Sequence, residues 1–270
     1  MRVVLGIDAA WTLTQASGVA LASQTKVGAP WRLVAVALAP SYQDFYALAD
    51  GSEPPPNDNS PDPIRLLKSS RQLCGLVRDL VAVDMPLAGH PITGRRASDN
   101  AVSSAYGARR CGTHTPSSLR PGRISDGLTK GFAQAGFPLQ TGSVETPGLI
   151  EVYPHPALVE LANAPERLCY KVSKTGKYWP ALDAIKRRER LFEVWADILA
   201  LLDKQIAGVR EKLPDLSLAP DTRVADLKKV EDMLDAVVCA WVAIRALEGH
   251  ATPFGDRDSA IWIPDAPPSR

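Results

Sequence analysis

The stretch LVAVDMP (Leu80–Pro86) is apolar for four residues and then ends in Asp84, Met85 and Pro86. A run of this kind reads as a strand buried on both faces and terminated by its proline. VVLGIDA (Val3–Ala9) repeats the feature, an apolar strand closed by a single acid, Asp8. Between the two, the β-like runs Ser17–Ser23 and Trp31–Ala39 are separated by short gaps, with Gly18, Gly28 and Pro30 as turn formers. The first three strands therefore form an antiparallel meander. A helical pattern from Asp62 or Pro63 through Leu66, Leu67, Leu73, Leu76 and Val77 then leads into Leu80–Pro86.

Downstream, Arg95–Arg110 can be helical. Residues 107–148 are rich in Gly, Pro, Thr, Ser and Arg, with at most a short helix near Asp126–Ala135. Leu149–His155 reads as a fifth strand followed by a short helix at Pro156–Asn163. Two long helical patterns cover Trp179–Leu213 and Arg223–Glu248, and AIWIP (260–264) docks as an edge strand. The acidic, proline-rich GSEPPPNDNSPDP (51–63) is a surface loop by composition. The order predicts one α/β domain over residues 1–270 with a loop-rich basic insertion at about 107–148. Its mixed sheet has three antiparallel strands, then two parallel ones, flanked by helices with long C-terminal helices. The ribonuclease H-like fold has this order, although fold order does not assign a reaction.

The chain has 270 residues, 45% hydrophobic and 23% charged, which excludes wholesale disorder. Its four cysteines (Cys74, Cys111, Cys169, Cys239) are scattered, so neither a disulfide scaffold nor a cysteine zinc site is expected. There is no apolar run long enough for a membrane span, and Asp8 comes too early for a signal peptide. A cytoplasmic protein is expected. The net charge of +1 gives no global argument for nucleic acid. Locally, however, Arg95–Lys130 holds seven bases against two acids, and residues 166–190 hold eight against three. Such segments either follow a phosphate backbone or form solvated faces. Glycine-rich nucleotide loops, the serine-hydrolase elbow and the zinc-protease motif are all absent, and the four histidines lack zinc-ligand spacing.

The candidate chemistry lies in isolated acids. If the strands ending in Asp8 and Asp84 are parallel neighbours, both carboxylates emerge at one rim of the sheet, where ligands bind in such folds. Two adjacent carboxylates repel unless a cation lies between them, and Mg²⁺ or Mn²⁺ suits such a pair. In VEDMLDAVVCAW (230–241), Asp235 lies about 100° from the centre of the apolar stripe and Asp232 about 60° further round. Both then flank the buried face, or are ordinary surface acids paired with Lys228 or Lys229. Glu151, inside an apolar strand, is either a fourth acid of the site or half of an ion pair with Arg96 or Arg109. His155 reads more as a helix-start residue than as a general base.

GIDAAW, VAVDMPLAG, RRASDNAV, EVYPHPAL and DMLDAVVCAW, in that order, resemble domain-of-unknown-function family 429, whose members are predicted ribonuclease H-like nucleases. The resemblance covers essentially the whole chain. It implies that Asp8, Asp84 and Asp235, with Asp232, fall where nucleases of that superfamily place their metal-binding acids. It also implies that Arg95, Arg96, Arg109 and Arg110 follow the second acidic strand as phosphate-gripping groups. The reading is a nuclease acting on nucleic acid, dependent on Mg²⁺ or Mn²⁺, with two ions about 3.5–4 Å apart. The alternatives are a nucleic-acid or protein-binding module that kept the fold without the chemistry and, less favoured, an actin-like ATPase or sugar kinase.

Overall fold

The computed structural model describes residues 1–13, 15, 17–39, 42–51, 61–75, 79–214 and 222–267. β1 (Arg2–Asp8), β2 (Ser17–Gln24) and β3 (Trp31–Ala39) form the antiparallel meander. β4 (Leu80–Asp84) and β5 (Gly148–Val152) then add in parallel on the other side of β1. β6 (Ile206–Ala207), β7 (Ala251–Gly255) and β8 (Ala260–Pro264) complete an eight-stranded mixed sheet in the order β6-β3-β2-β1-β4-β5-β8-β7.

Because side chains alternate along a strand, each face of β1 has its own core. Val3, Leu5 and Ile7 meet Phe45, Tyr46, Leu66 and Phe132. These come from α1 (Gln43–Asp50), α2 (Pro63–Cys74) and α4 (Arg123–Gln134). Asp62 caps α2, its side chain accepting from the Arg65 backbone amide, and Pro63 opens it. Val4 faces the opposite way, with Ala20, Leu80 and Ala82, against the long α9 (Val224–Leu247). Gly6 and Asp8 share that face by alternation, as does Asp84 on β4.

The seating of α9 depends on two glycines. A Cβ on Gly6 would lie 2.2 Å from the Ala236 carbonyl oxygen, and one on Gly18 would lie 2.0 Å from that of Asp232. The helix backbone therefore rests directly on β1 and β2, which brings Asp232 and Asp235 down beside the end of β1. Gly18→Ala is expected to cost at least about 1–3 kcal/mol, as overpacking does. Thermal denaturation reads this as a lower Tm, and an unchanged Tm would refute the close seating.

Several expectations change. AIWIP is not an edge strand: β8 lies between β5 and β7, and the edge belongs to β7. The pattern over Trp179–Leu213 is not one helix. α6 (Thr175–Tyr178) precedes α7 (Ala184–Gln205), which stops where Ile206 pairs with Trp31 and Gly208 adopts φ 90°. α8 (Val209–Lys212) follows. The expected helix at 95–110 is the shorter α3 (Ala97–Tyr106). α9 is buried on almost every side from Leu234 onward, so Asp235 flanks no solvent boundary, whereas Glu231 and Asp232 line the cleft. Leu76, Val77 and most of the acidic loop lie outside the described residues. No described helix is long and apolar enough to cross a membrane.

Candidate active site at the rim of β1 and β4

The parallel register pairs Asp8 directly with Asp84. Both lie at the carboxyl ends of their strands, on the α9 face, and both line a cleft of about 580 Å³. Among the described residues, no group donates a hydrogen bond or forms an ion pair to either carboxylate. Burial, and then Asp235, Asp232 and Asp84, hold the Asp8 carboxyl well above its ordinary range. Burial and then Asp235 push Asp84 up to about 8, with Lys171 opposing. The pair is an uncompensated acidic floor.

The other two acids are engaged. Asp235 is fully buried behind the floor and does not line the cleft. It accepts from the Tyr170 hydroxyl at 2.7 Å and is bonded by the Lys171 ammonium. Asp232 is bonded by Lys228, which also reaches Glu231 at 2.9 Å. Burial lifts Asp232 to about 6 although Lys228 opposes the rise. Glu231 accepts from the Val172 amide at 2.6 Å and lies 3.3 Å from Lys171. Lys171 thus joins Asp235 to Glu231. Burial disfavours its charge, but Asp235, Tyr170 and Glu231 outweigh burial and raise its pKa.

Glu151 also lines the cleft and its charge acts on Asp84, but it is not an unpaired acid of the floor. In β5, Ile150 and Val152 face α9, so Glu151 points to the opposite side. There its two oxygens accept from Arg96 at 2.5 and 2.7 Å, and one also accepts from the Leu87 amide at 2.8 Å. Arg96 spends its remaining donors on Asp99 and the Leu87 carbonyl. Burial opposes its charge, but Glu151 and then Asp99 raise its pKa further. The expectation that Arg96 grips phosphate is corrected: four of its five N–H groups are taken by Glu151 and Asp99 and the fifth by the Leu87 carbonyl.

The other expected arginines also lie elsewhere. Arg95 bonds Asn100, Ser103, Thr115 and the Asp99 carbonyl. Arg109 pairs with Glu160 and donates to the Ala164 carbonyl. Arg110 pairs with Glu166. None of the three lines the cleft. Its basic wall is instead Arg120, Arg167, Lys171, Lys174, Lys228 and Lys229. Three of these belong to the second basic stretch of the sequence, so its charge was a usable signal. Tyr170 had none. His155, on α5 (Pro154–Leu161), is buried edge-on between Tyr153 and Tyr170, at 5.3 and 5.4 Å. Burial, Lys171 and Arg167 keep its imidazole neutral, and Nδ1 has no hydrogen-bond partner among the described residues.

The family model described as "Protein of unknown function (DUF429)" matches residues 6–260, from the strand carrying Asp8 to the start of β8. The chain belongs to this family. The match contains every residue of the DUF429 cleft named above. No curated protein and no solved structure matches the chain.

Among the described residues, no group of three or more His, Cys, Asp or Glu side chains is arranged to hold a metal ion. The three-acid centre expected of Asp8, Asp84 and Asp235 is not formed, because Lys171 and Tyr170 hold Asp235. Asp8 and Asp84 remain. Mg²⁺ is ordinarily held by one or two carboxylates with water completing its shell, so this pair fits one hydrated divalent cation.

Proposed function

We propose that the chain is a ribonuclease H-like, divalent-metal-dependent nuclease that hydrolyses phosphodiester bonds of nucleic acid at the Asp8–Asp84 rim. The observation that carries the reading is the pair itself: two adjacent carboxylates without a partner, beneath a cleft whose wall includes Arg120, Arg167 and Lys174, which no carboxylate pairs among the described residues. Asp8 and Asp84 would hold Mg²⁺ or Mn²⁺, which when bound supplies Lewis-acid polarisation of a phosphoryl oxygen. Arg120 and Arg167, which no carboxylate pairs among the described residues, would bind phosphates along the cleft. Lys174 and Lys229 add positive charge beside them. Met85, Pro86 and Tyr153 narrow the approach to the acids.

Cleavage of a panel of single-stranded, duplex, hybrid and junction nucleic acids, with Mg²⁺, Mn²⁺ or EDTA, tests the proposal. Metal-dependent cleavage that is lost in Asp8→Asn is expected. A second reading is favoured by the Lys171 contact on Asp235, a polyanion-binding module without chemistry. It predicts metal-independent binding and no cleavage of any substrate.

The arginine assignment has its own prediction. Each arginine that neutralises a phosphate of duplex DNA contributes about 0.9 to the slope of log K against log salt. Arg120→Ala with Arg167→Ala should flatten that slope by roughly two units, whereas Arg95→Ala with Arg110→Ala should leave it unchanged. Binding titrations at several salt concentrations measure both, and the reverse result would return the grip to Arg95 and Arg110.

A further inference from the structure

We infer that Lys171 is a built-in substitute for a second cation, so that the centre takes one divalent ion per chain rather than two. The inference rests on the nuclease reading above and concerns how that site balances its charge. Besides Glu151, which Arg96 holds, five carboxylates gather at this end of the sheet: Asp8, Asp84, Glu231, Asp232 and Asp235. Two ammonium groups answer them. Lys228 serves Asp232 and Glu231, and Lys171 serves Asp235 and Glu231. A second divalent ion would need oxygens from Asp235 or Glu231, the acids that already hold Lys171.

The ammonium is fixed in place. Its side chain is 19% exposed, Nζ lies 4.9 Å from the centre of the Tyr170 ring, and the Tyr170 hydroxyl holds the other oxygen of Asp235. Trp195 anchors this segment by donating to the Tyr170 carbonyl at 2.8 Å. Lys171 still lines the cleft, and its charge acts on both Asp8 and Asp84. It therefore stands where a second positive charge would face the phosphate. Unlike a metal ion, it is lost neither to chelators nor to dilution. Lys171 is a positioning residue for Asp235 and a fixed positive charge for the ligand.

The test counts Mn²⁺ ions by the electron paramagnetic resonance signal of free Mn²⁺ during titration of the whole chain, and needs no substrate. One ion per wild-type chain is expected. Asp8→Asn should weaken that ion by at least the roughly 10–100-fold that losing even an outer-shell partner costs. Asp235→Asn should leave the count at one. Lys171→Met removes the ammonium shared by Asp235 and Glu231 and should raise the count to two, whereas Lys171→Arg keeps it at one. Two ions in the wild type, or loss of the single ion in Asp235→Asn, would overturn the inference. No Asp8-dependent ion at all would instead overturn the nuclease reading. If Lys171→Met does not fold, the wild-type and Asp235→Asn counts still decide.

Discussion

In the metal-free protein at pH 8, Asp84→Asn is expected to raise stability by on the order of 2–4 kcal/mol, roughly 5–15 °C in Tm for a chain of this size. The cause is the acidic floor. Burial, and then Asp235, push the Asp84 carboxyl up to about 8 from its ordinary 3.8. A carboxyl raised on folding binds a proton more tightly in the folded state, so its contribution is fully present below the unfolded pKa. That contribution is lost as pH rises through about 8. Metal-free wild type should therefore melt progressively lower from pH 5 to pH 8 relative to Asp84→Asn, which has no such titration. On the proposed chemistry, millimolar Mg²⁺ or Mn²⁺ should reverse the loss in the wild type alone, since a cation bound only to the folded state stabilises it. The same substitution should abolish cation-dependent cleavage. Melting curves across this pH range, with and without the cation, test the argument. A wild type whose Tm relative to Asp84→Asn does not fall with pH would mean that the two carboxylates are solvated apart.

The second large effect belongs to Arg96. Arg96→Ala is expected to cost about 3–5 kcal/mol, because it leaves Glu151 and Asp99 buried without a counter-charge. Against a total stability of about 5–15 kcal/mol, that is enough to endanger folding at 37 °C. Replacing the group as a whole should do less harm. Arg96→Met combined with Glu151→Gln and Asp99→Asn removes the charges together, and should retain more stability than Arg96→Ala alone. Thermal or urea unfolding of the two variants ranks them. If Arg96→Ala unfolds like the wild type, the triad is not buried as described. The triad also ties the loop after β4, through the Leu87 amide and carbonyl, to β5 and to the start of α3, where the Asp99 side chain accepts from the Arg96 amide. It therefore holds the segment that follows Asp84, which explains why Arg96, although it lines the cleft, has no donor left for a ligand.

The two apolar strands that end in Asp8 and Asp84 were legible in the chain, as was the antiparallel start of the sheet. Period-two alternation and the flanking turn residues carry that information locally. The acids at the strand ends stood out for the same reason, each being the one charge in an apolar run. Sequence also placed Asp232 and Asp235 on a helix.

It did not say which groups those acids would meet. The face on which Glu151 lies depends on the register of β5 against β4, a long-range choice that puts its carboxylate on the other face from that of Asp84 and gives it to Arg96. Lys171 reached Asp235 across 64 residues of chain. No local pattern records that contact, because it exists only once Gly6 and Gly18 let α9 rest on the sheet. Charge counted along the chain drew attention to Arg95, Arg96, Arg109 and Arg110, whereas the cleft, besides the fully engaged Arg96, took its bases from residues scattered between Arg120 and Lys229. The sequence by itself determined the first five strands and the acids at the ends of β1 and β4, all properties of short segments, whereas β6, β7 and the inner place of β8 came only with the fold. Only the tertiary structure decided which carboxylates stay unpaired, because pairing depends on distances that close packing of distant elements sets.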